Sequence, residues 1–323
     1  MNDAPTRADG GPILGLDVGG TKTAIILGDA AGRVLARHAM LSPLHLGPAG
    51  MVAQIVAEAR RLLAAHSGPD PRAVGVAIGG PLDSDAGVIL GPPHLPGWDQ
   101  VPLRALLEAE FAAPVYVEHD ARAGAIAEWR FGAGRRGPGV FINDLVFLTM
   151  GTGIGAGIIT GGHILHHRSA RTAETGHWRL APDGPLMFGK RGAWESFCSG
   201  AGIAALAALR APGRFHGITV AELAQLARRG DADAQAVFAE SAERLGQGIA
   251  LLCDLFAPDL VVLGALGVRL GNLLIPGARR VLDTEALPAV AARVRIVPAA
   301  LGEQIGDVAA LCAALARLEG WGR

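Results

Sequence analysis

Residues 114–128 have the sequence PVYVEHDARAGAIAE, which combines a short strand with a helix and places a carboxylate, that of Asp120, at the junction. The residues VYV at 115–117 follow a proline and favour a β-strand, whereas residues 121–128 contain no helix breaker except Gly124. In α/β sheets, ligands bind at the carboxyl ends of the strands, which is where this junction places the side chain of Asp120. The alternative is that Asp120 only caps the helix, by accepting hydrogen bonds from free backbone amides.

The composition of the chain predicts a protein of two domains that acts on small molecules. Its 323 residues are more than one hydrophobic core usually holds. Half of the residues are hydrophobic and 18% are charged, which is ample apolar material for buried sheets. The net charge is −1, and no run of lysine or arginine is longer than two residues. The sequence therefore predicts neither a nucleic-acid partner nor a membrane partner.

The cysteines and the N-terminal segment predict a cytoplasmic protein. The cysteines lie far apart in apolar or small-residue surroundings, which is typical of reduced thiols in a core. They are Cys198, Cys253 and Cys312. No hydrophobic run precedes Ile13, so no signal peptide is expected. Residues 249–267 are nearly long enough for a membrane span, but two acidic residues and a proline interrupt them, which indicates a helix, a turn and a buried strand.

A first glycine turn lies between two predicted strands, at residues 13–17 and 23–27, and a further strand is expected near Val34. Glycine has no Cβ and exposes its amide, so the turn allows an anion to approach the backbone closely. The turn consists of Gly19, Gly20, Thr21 and Lys22. The carboxylate of Asp17 precedes it and could hold a hydrated magnesium ion, which prefers few carboxylates together with waters and phosphates. The alternative is an ordinary hairpin turn.

A second glycine turn repeats this pattern within residues 145–160, LVFLTMGTGIGAGIIT. It also joins two apolar strands, and it consists of Gly151, Thr152 and Gly153. Glycine turns that lie between strands, rather than at the start of a helix, argue against a Rossmann site and against a P-loop. We therefore expect two similar halves whose opposed hairpins bind a polyphosphate.

A third glycine cluster follows the predicted strand at residues 260–263. It includes Gly264 and Gly267, which could pack against a purine. An ordinary turn from a strand into a helix explains the same residues equally well. Predicted helices at residues 49–66 and 103–111 alternate with strands in the first third of the chain, as expected for a layered α/β domain.

The chain resembles the ROK family of sugar kinases, which belongs to the actin, hexokinase and Hsp70 superfamily. The resemblance extends from about Ile13 to the C-terminus and keeps the order and spacing of the family's motifs. These motifs are LGLDVGGTKT, GPPHLPGWDQVPL, VEHDARAGAIAEWRFGAG, LTMGTGIGAGIITGG, AETGHW, GAWESFCSG and DLVVLGALG. The resemblance implies an α/β fold of the two-domain actin-like ATPase (ribonuclease H-like) type, with a sugar-binding cleft between the domains.

The resemblance also implies how the chain is divided. Residues 1–122 would form a small α/β domain, completed by the C-terminal helix within residues 304–323. Residues 123–303 would form a large α/β domain that carries the nucleotide and sugar-loop elements. Family members phosphorylate a hexose hydroxyl with ATP and Mg²⁺, so both are expected here. The helices predicted at residues 221–251 correspond to elements that support dimerisation in the family, and a homodimer is expected.

The same resemblance implies roles for individual residues. Asp120 would be the general base, and the two glycine turns would bind phosphates. The residues implied to contact the sugar are Gly80, His119, Glu174, His177 and Glu195. Phosphoryl transfer requires mainly positioning, charge neutralisation and one group that accepts the hydroxyl proton, so a single carboxylate is sufficient. The remaining carboxylates and imidazoles offer acceptors and donors for ring hydroxyls. The alternatives are an exposed loop pair for Glu174 and His177, and a helix-dipole carboxylate for Glu195.

One departure from the family pattern lies beside the predicted base. Most members have Asn-Asp where this chain has His119 and Asp120. A larger, titratable ring replaces an amide that helps to hold the sugar. The departure leaves the base in place, but it makes the identity of the hexose uncertain.

A second departure concerns a structural zinc ion. Many members bind zinc through cysteines between the positions of His177 and Glu195, and here those positions are Leu186, Phe188 and Ala193. We therefore expect no zinc, and expect an apolar cluster to hold the loop instead. Its predicted members are Leu186, Met187, Phe188 and Trp194. His163, His166 and His167 are nearby in sequence, but they have no thiolate partner and are a weaker alternative as metal ligands.

Together these features predict ATP-dependent phosphorylation of a hexose, with glucose, at its 6-hydroxyl, as the first choice. The alternatives are an N-acetylhexosamine or fructose kinase, or a non-catalytic sugar-binding protein. Some family members are sugar-responsive repressors that carry a DNA-binding domain before the kinase-like fold. Only twelve residues precede Ile13, which is too few for a helix-turn-helix, so a repressor is not expected.

Overall fold

The computed structural model describes residues 11–66, 68–166, 173–187 and 189–321. Its described residues form two compact units. The first unit contains residues 11–123 and 306–321, and the second contains residues 124–166 and 173–305. The first unit is therefore assembled from both ends of the described chain.

The strands and helices alternate along most of the chain. The strands are β1 (Ile13–Val18), β2 (Lys22–Gly28), β3 (Val34–Leu41), β4 (Ala73–Ile78), β5 (Leu82–Asp83), β6 (Val88–Leu90), β7 (Asp99–Val101), β8 (Val115–His119), β9 (Arg135–Gly137), β10 (Val140–Phe141), β11 (Leu145–Met150), β12 (Ile154–Thr160), β13 (His163–Ile164), β14 (Leu186–Met187), β15 (Lys190–Arg191), β16 (Leu260–Leu263) and β17 (Arg295–Pro298). The helices are α1 (Gly47–His66), α2 (Leu103–Phe111), α3 (Asp120–Phe131), α4 (Trp194–Cys198), α5 (Gly200–Arg210), α6 (Pro212–Phe215), α7 (Val220–Arg228), α8 (Ala232–Phe256), α9 (Leu266–Glu285), α10 (Pro288–Ala291) and α11 (Ile305–Leu318). Short 3₁₀ turns cover Leu44–Leu46, Thr175–His177 and Gly302–Gln304.

The first unit is built on a five-stranded sheet with the order β3-β2-β1-β4-β8. Strand β1 runs antiparallel to β2 and parallel to β4, and β4 runs parallel to β8. The pairing aligns Val18 with Ile78, and Ile78 with His119. The three parallel strands therefore end at the same edge of the sheet, which brings the residues that follow them together. That edge carries the first glycine turn, the Gly79–Gly80 turn and Asp120.

The second unit repeats this arrangement in a sheet with the order β13-β12-β11-β16-β17. Strand β11 pairs antiparallel with β12 and parallel with β16, and β16 pairs parallel with β17. The second glycine turn joins β11 and β12, as the first joins β1 and β2. The hydrophobic core of this unit packs α4, α5, α7, α8 and α9 against the sheet. The prediction of two similar hairpins is confirmed.

Most predicted elements are present with small differences at their ends. The helix predicted at residues 103–111 is α2, with the predicted ends, and the helix predicted at 49–66 begins at Gly47. The predicted C-terminal helix is α11, which begins at Ile305, directly after a 3₁₀ turn of residues 302–304 that starts with Gly302 at φ 57°. All three cysteines are buried, as predicted. Among the described residues, no helix combines the length and apolar character that crossing a membrane requires.

Candidate active site

Asp120 is the first residue of α3, and β8 runs into this helix without a loop. Its Oδ1 accepts a hydrogen bond from the amide of Ala121 at 2.6 Å, and 40% of its side chain is exposed. A capping residue normally accepts from an amide two or three positions further along the helix, so this contact is not a typical cap. The carboxylate is thus oriented by the backbone while it stays accessible to a substrate.

The ring of His119 lies directly beside this carboxylate. His119 is buried, and its Nδ1 lies 3.3 Å from Asp120 Oδ1. The amide of Ala121 also donates to Nδ1, at 3.2 Å. Because Nδ1 acts as an acceptor, the neutral ring carries its proton on Nε2. The ring therefore has an N–H donor on the side away from the base.

A second histidine, His94, belongs to the same edge of the sheet and is not among the predicted site residues. Burial lowers the pKa of His94, the charge of Asp120 raises it, and His119 lowers it again. The ring packs so closely on Gly79 that a Cβ there would lie 2.4 Å from Cε1, so a larger residue at this position would displace the ring. Gly80 follows at the end of the same turn and is half-buried. The motif GPPHLPGW contains this histidine, but only the parallel pairing of β4 with β8 brings it near the base.

The first glycine turn is held by its own backbone and by a serine from β3's end. The amide of Gly19 donates to the carbonyl of Lys22 at 3.1 Å, and the hydroxyl of Ser42 donates to the carbonyl of Gly19 at 2.5 Å. The amide of Ser42 donates to the carbonyl of Thr21 at 3.0 Å. Thr21 and Lys22 are exposed, and Gly20 is half-buried. The turn is therefore fixed from within, and its outer face is open to a ligand.

Asp17 lies at the end of β1 in an electrostatically unfavourable position. Its pKa is raised to about 7, mainly by burial and then by the negative charges of Asp120 and Asp307, while Arg37 and Lys22 oppose the rise. Arg37 Nε donates to Asp307 Oδ2 at 2.7 Å. A half-buried carboxylate that faces two others gains most from a cation, so Asp17 fits the predicted role at a magnesium ion. Asp307, from the start of α11, is not among the predicted site residues.

The second unit collects the other predicted sugar ligands around Glu195. This residue lies in the first turn of α4, it is buried, and its Oε2 accepts from the amide of Ile154 at 2.9 Å. Burial raises the pKa of Glu195, and the charge of Glu174 adds to this, while the Ile154 hydrogen bond and His177 lower it. Glu174 and His177 are exposed and flank the 3₁₀ turn Thr175–His177. The three side chains thus form one group.

The Gly151–Gly153 turn lies against this group. A Cβ at Gly153 would lie 2.4 Å from Glu195 Oε2, so a larger residue at this position would displace the carboxylate. The amide of Gly151 donates to the carbonyl of Gly153 at 3.0 Å, and the amide of Gly200 donates to the carbonyl of Gly151 at 2.8 Å. Gly200 starts α5. Thr152, the middle residue of the turn, is exposed. The dipole of a helix favours an anion such as a phosphate near the helix start.

The third glycine cluster forms the turn from β16 into α9. The amide of Gly264 donates to the carbonyl of Leu148 at 2.9 Å, which ties the turn to β11. Ala265 has φ 48° and ψ −103°, a conformation that L-residues rarely adopt. Such outliers cluster at functional sites. The angles are close to those of the first central residue of a type II′ turn, so an ordinary turn from a strand into a helix still explains this segment, and the binding role of Gly264 and Gly267 stays a prediction.

Comparison with known proteins identifies the family. The family model for the ROK family matches residues 13–317. This chain belongs to the ROK family. It is 31% identical to a glucokinase of Streptomyces coelicolor over 285 residues, which cover 84% of this chain and 86% of that protein. It is 30% identical to the DNA-binding transcriptional repressor Mlc of Escherichia coli over 69% of this chain, which covers 55% of the repressor.

A solved structure gives the same family and fold. The crystal structure of a ROK family glucokinase from Streptomyces griseus, in complex with glucose and AMPPNP, matches with a TM-score of 0.81 and 32% identity. The match covers 95% of this chain and all of that chain. The predicted family, the two-domain actin-like fold and the enzyme class, that of a sugar kinase, are confirmed.

In this ROK chain, the loop that carries zinc in many members is held differently from the prediction. Leu186 is 58% exposed and does not belong to a buried cluster, and Phe188 lies outside the described residues. Trp194 is fully buried and stacks on Trp178 with 5.8 Å between the ring centroids. The amide of Trp194 also donates to the carbonyl of Trp178 at 2.7 Å. A tryptophan pair and backbone hydrogen bonds therefore anchor the segment that carries His177.

The apolar-cluster prediction is wrong for Leu186, which lies in the short hairpin of β14 and β15 with most of its side chain exposed. Two of the three histidines considered as weaker metal ligands lie within the described residues. His163 Nδ1 lies 2.8 Å from the carbonyl of Gly161, and His166 is exposed. His167 lies outside the described residues. The absence of structural zinc stays a prediction.

Proposed function

We propose that this sugar kinase transfers the γ-phosphoryl group of ATP to the 6-hydroxyl of a hexose, and that glucose is its substrate. The observation that carries the proposal is the carboxylate of Asp120. It lies at the carboxyl ends of the parallel strands β1, β4 and β8, it is held by one backbone amide, and 40% of its side chain is exposed. The glucokinase relatives, which match most of this chain, support glucose over other hexoses.

In the proposed reaction, Asp120 accepts the proton of the attacked hydroxyl. The hydroxyl oxygen forms a bond to the γ-phosphorus while the bond from that phosphorus to the β–γ bridging oxygen breaks, and ADP leaves with the electron pair. The transition state for such a transfer is loose, so the protein contributes mainly by positioning and by neutralising charge. A base that is oriented before the sugar binds fits this requirement.

The phosphates would be bound by the glycine turns, residues 19–22 and residues 151–153. Gly264 and Gly267 would lie against the nucleoside. Asp17 would hold Mg²⁺ through its waters, and the ion would neutralise phosphate charge. In the described part of the chain, no three His, Cys, Asp or Glu side chains converge to form a metal cage. Hydrated magnesium does not need such a cage, since it binds through few carboxylates.

The hexose would be recognised by the group of Glu174, His177 and Glu195, together with Gly80 and His119. Glu195 would accept a hydrogen bond from a sugar hydroxyl, and its burial raises the pKa of its carboxyl. The Nε2–H of His119 offers a donor where relatives have an amide. The rings of His94 and His119 border the base, and their size would decide which hexose fits beside it. An N-acetylhexosamine or fructose kinase is therefore the alternative within the same class.

A sugar-responsive regulator is the second candidate function, since a repressor is among the relatives. The match to that repressor covers 55% of its length, whereas the match to the glucokinase covers 86% of that enzyme. A regulator also has no need for an accessible base. The kinase is therefore the better-supported function.

The test is ADP release by the purified protein with ATP, Mg²⁺ and a panel of glucose, mannose, fructose, N-acetylglucosamine and N-acetylmannosamine. We expect glucose to give the highest kcat/KM, and a dehydrogenase specific for glucose 6-phosphate to detect the product. A higher kcat/KM for another sugar would assign that sugar instead. Sugar binding by calorimetry without ADP release from any member of the panel would show a non-catalytic protein.

We also propose that the enzyme is a cytoplasmic homodimer. Leu251 and Leu255 lie one turn apart on α8 and are 46% and 65% exposed, so together they offer an apolar surface that a partner subunit would cover. Sedimentation velocity of the wild type and of Leu255→Glu tests this assembly. A monomeric wild type at micromolar concentration would refute it.

A further inference from the structure

A buried pair of opposite charges spans the junction that carries the base. Glu118 is the residue before the last of β8, and Arg122 lies in the first turn of α3. The residues are 6% and 3% exposed, and Arg122 Nη1 lies 3.1 Å from Glu118 Oε1. Burying two charges costs more free energy than an apolar pair of the same size, so stability alone is a poor reason for this pair.

Glu118 binds the backbone immediately before Asp120. The same oxygen, Oε1, accepts a hydrogen bond from the amide of His119 at 2.9 Å. Strand β8 is at the edge of its sheet, with β4 as its neighbour, so an amide that points away from β4 needs another acceptor. On the other side of the base, the amide of Ala121 is bound by Asp120 Oδ1 and His119 Nδ1. The backbone is therefore held on both sides of Asp120.

Arg122 supplies the charge that keeps Glu118 in this position. Burial lowers the pKa of Arg122, and the negative charge of Glu118 opposes this most strongly. Asp85 also opposes it, while Arg317, which forms an ion pair with Asp85 at 3.2 Å, adds to the lowering. None of the guanidinium nitrogens of Arg122 has a hydrogen-bond partner among the described residues. Its contribution is therefore charge compensation of Glu118 rather than hydrogen bonding to another element.

We propose that Glu118 and Arg122 form a positioning pair that sets the direction of the Asp120 carboxylate. The inference rests on the proposed role of Asp120 as the base. Both side chains are buried, so neither contacts a substrate. When the acceptor for the His119 amide is lost, the strand-to-helix junction relaxes and the carboxylate moves. A displacement of about 1 Å at a reacting group lowers the rate by about 10²-fold, so kcat falls while binding of the hexose is kept.

The test uses two double variants, because a single replacement would leave one buried charge uncompensated and destabilise the fold for a trivial reason. Glu118→Met with Arg122→Met removes the pair and the acceptor. Glu118→Gln with Arg122→Met also removes both charges, but it keeps an amide oxygen that can accept from the His119 amide. We expect the first variant to lose about 10–10²-fold in kcat, with the KM for the hexose within about 3-fold of wild type. We expect the second to recover most of that loss.

A matched control removes an exposed ion pair from the same unit. Arg60 Nη2 and Glu110 Oε2 lie 2.7 Å apart, with side chains 60% and 40% exposed. Replacing both with Met should leave kcat unchanged. Melting temperatures of all variants show whether they are folded. If the first double variant does not fold, Arg122→Lys replaces it; this change keeps a positive charge but carries it on a shorter side chain, farther from Glu118 Oε1, so the charge compensation weakens and we expect kcat to fall by about 3–10-fold.

Hydrogen exchange of the His119 amide provides a readout that does not depend on activity. The amide should be protected in the wild type and in the glutamine variant, and should exchange faster in the first double variant. Wild-type kcat in a folded first variant would overturn the inference, as would equal losses of kcat and hexose affinity in both variants. Wild-type kcat in the lysine variant would overturn it too. A wild-type enzyme that releases no ADP would instead refute the proposed function. Hydrogen exchange of the His119 amide would still show whether Glu118 and Arg122 hold the backbone before Asp120.

Discussion

At the scale of the single residue, Asp120 carries the proposed chemistry. Asp120→Asn keeps the size of the side chain and an oxygen that can accept from the amide of Ala121, but it cannot take a proton. We expect kcat to fall by about 10²–10⁴-fold, while the Kd for the hexose changes much less. Steady-state kinetics and calorimetry measure the two quantities separately. If Asp120→Asn keeps near wild-type turnover, Asp120 is not the base and only caps the helix.

His119 sets the size and the hydrogen bonding of the space beside the same carboxylate. Its Nδ1 accepts from the amide of Ala121 and lies 3.3 Å from Asp120 Oδ1. His119→Asn replaces the ring with a smaller amide, so we expect the order of preference among hexoses to change. The values of kcat/KM for the sugar panel measure this order. An unchanged order would mean that the ring does not contact the sugar.

Asp17 predicts a dependence of stability on pH in the protein without ligands. Its pKa is raised from 3.8 to about 7, so the folded state binds a proton that the unfolded state releases between these values. The free energy of unfolding therefore decreases as pH rises from about 4 to 7, and then stays lower. Asp17→Asn removes this penalty. We expect a higher melting temperature than wild type at pH 8, little difference at pH 4, and lower kinase activity.

The control for Asp17 is Asp99→Asn, an exposed carboxylate of the same unit. It should not change the difference between the melting temperatures at the two pH values. Unchanged activity in Asp17→Asn would remove this residue from the proposed magnesium site. An Asp17→Asn melting temperature equal to wild type at pH 8 would show that the ionised carboxylate is not destabilising.

At the scale of the element, the segment between His177 and Glu195 holds these two predicted sugar ligands in place. Trp178 follows the predicted sugar ligand His177, and it stacks on Trp194, which precedes Glu195. Trp178→Ala removes the stack, which is worth about 0.5–1.5 kcal/mol beyond the buried area. We expect the KM for the hexose to rise about 10-fold or more, because both ligands lose their support. Leu186→Ala, at an exposed position of the same segment, should leave KM unchanged.

If the tryptophan pair replaces zinc, the metal is not needed. Elemental analysis of the purified enzyme should find no stoichiometric zinc, and a chelator followed by added Mg²⁺ should leave full activity. One equivalent of tightly bound zinc would contradict this prediction. It would direct attention to His163, His166 and His167 as ligands.

At the scale of the whole molecule, the first unit depends on the C-terminal helix α11. This helix supplies ten consecutive buried residues, from Asp307 to Ala316. Leu311 is fully buried, and Leu311→Ala should lower the free energy of unfolding by about 2–5 kcal/mol in urea denaturation. Leu318→Ala is the matched control, because its side chain is 37% exposed and its loss should cost little. Equal effects would mean that α11 contributes no core.

The sequence by itself determined the family, the fold class and nearly every strand and helix. These features depend on short motifs and on local hydrophobic periodicity, which can be followed along the chain. The glycine turns and the strand-to-helix junction at Asp120 are local in the same sense. The predicted residues that cluster around Glu195 lie within about twenty positions of one another, so their grouping also follows from a single motif region.

Only the tertiary structure decided which distant residues share the environment of the base. His94 lies near the base because its ring packs on Gly79, in the turn after β4, and β4 pairs in parallel with β8. Asp307 lies near Asp17, although it comes from the other end of the chain. Glu118 and Arg122 can be read from the sequence, but their burial depends on how α3 packs. The exposure of Leu186 and the stacking of Trp178 on Trp194 likewise depend on the path of the loop. Periodicity and motif spacing report local geometry, whereas these contacts depend on the pairing of strands and the packing of helices that are far apart in sequence.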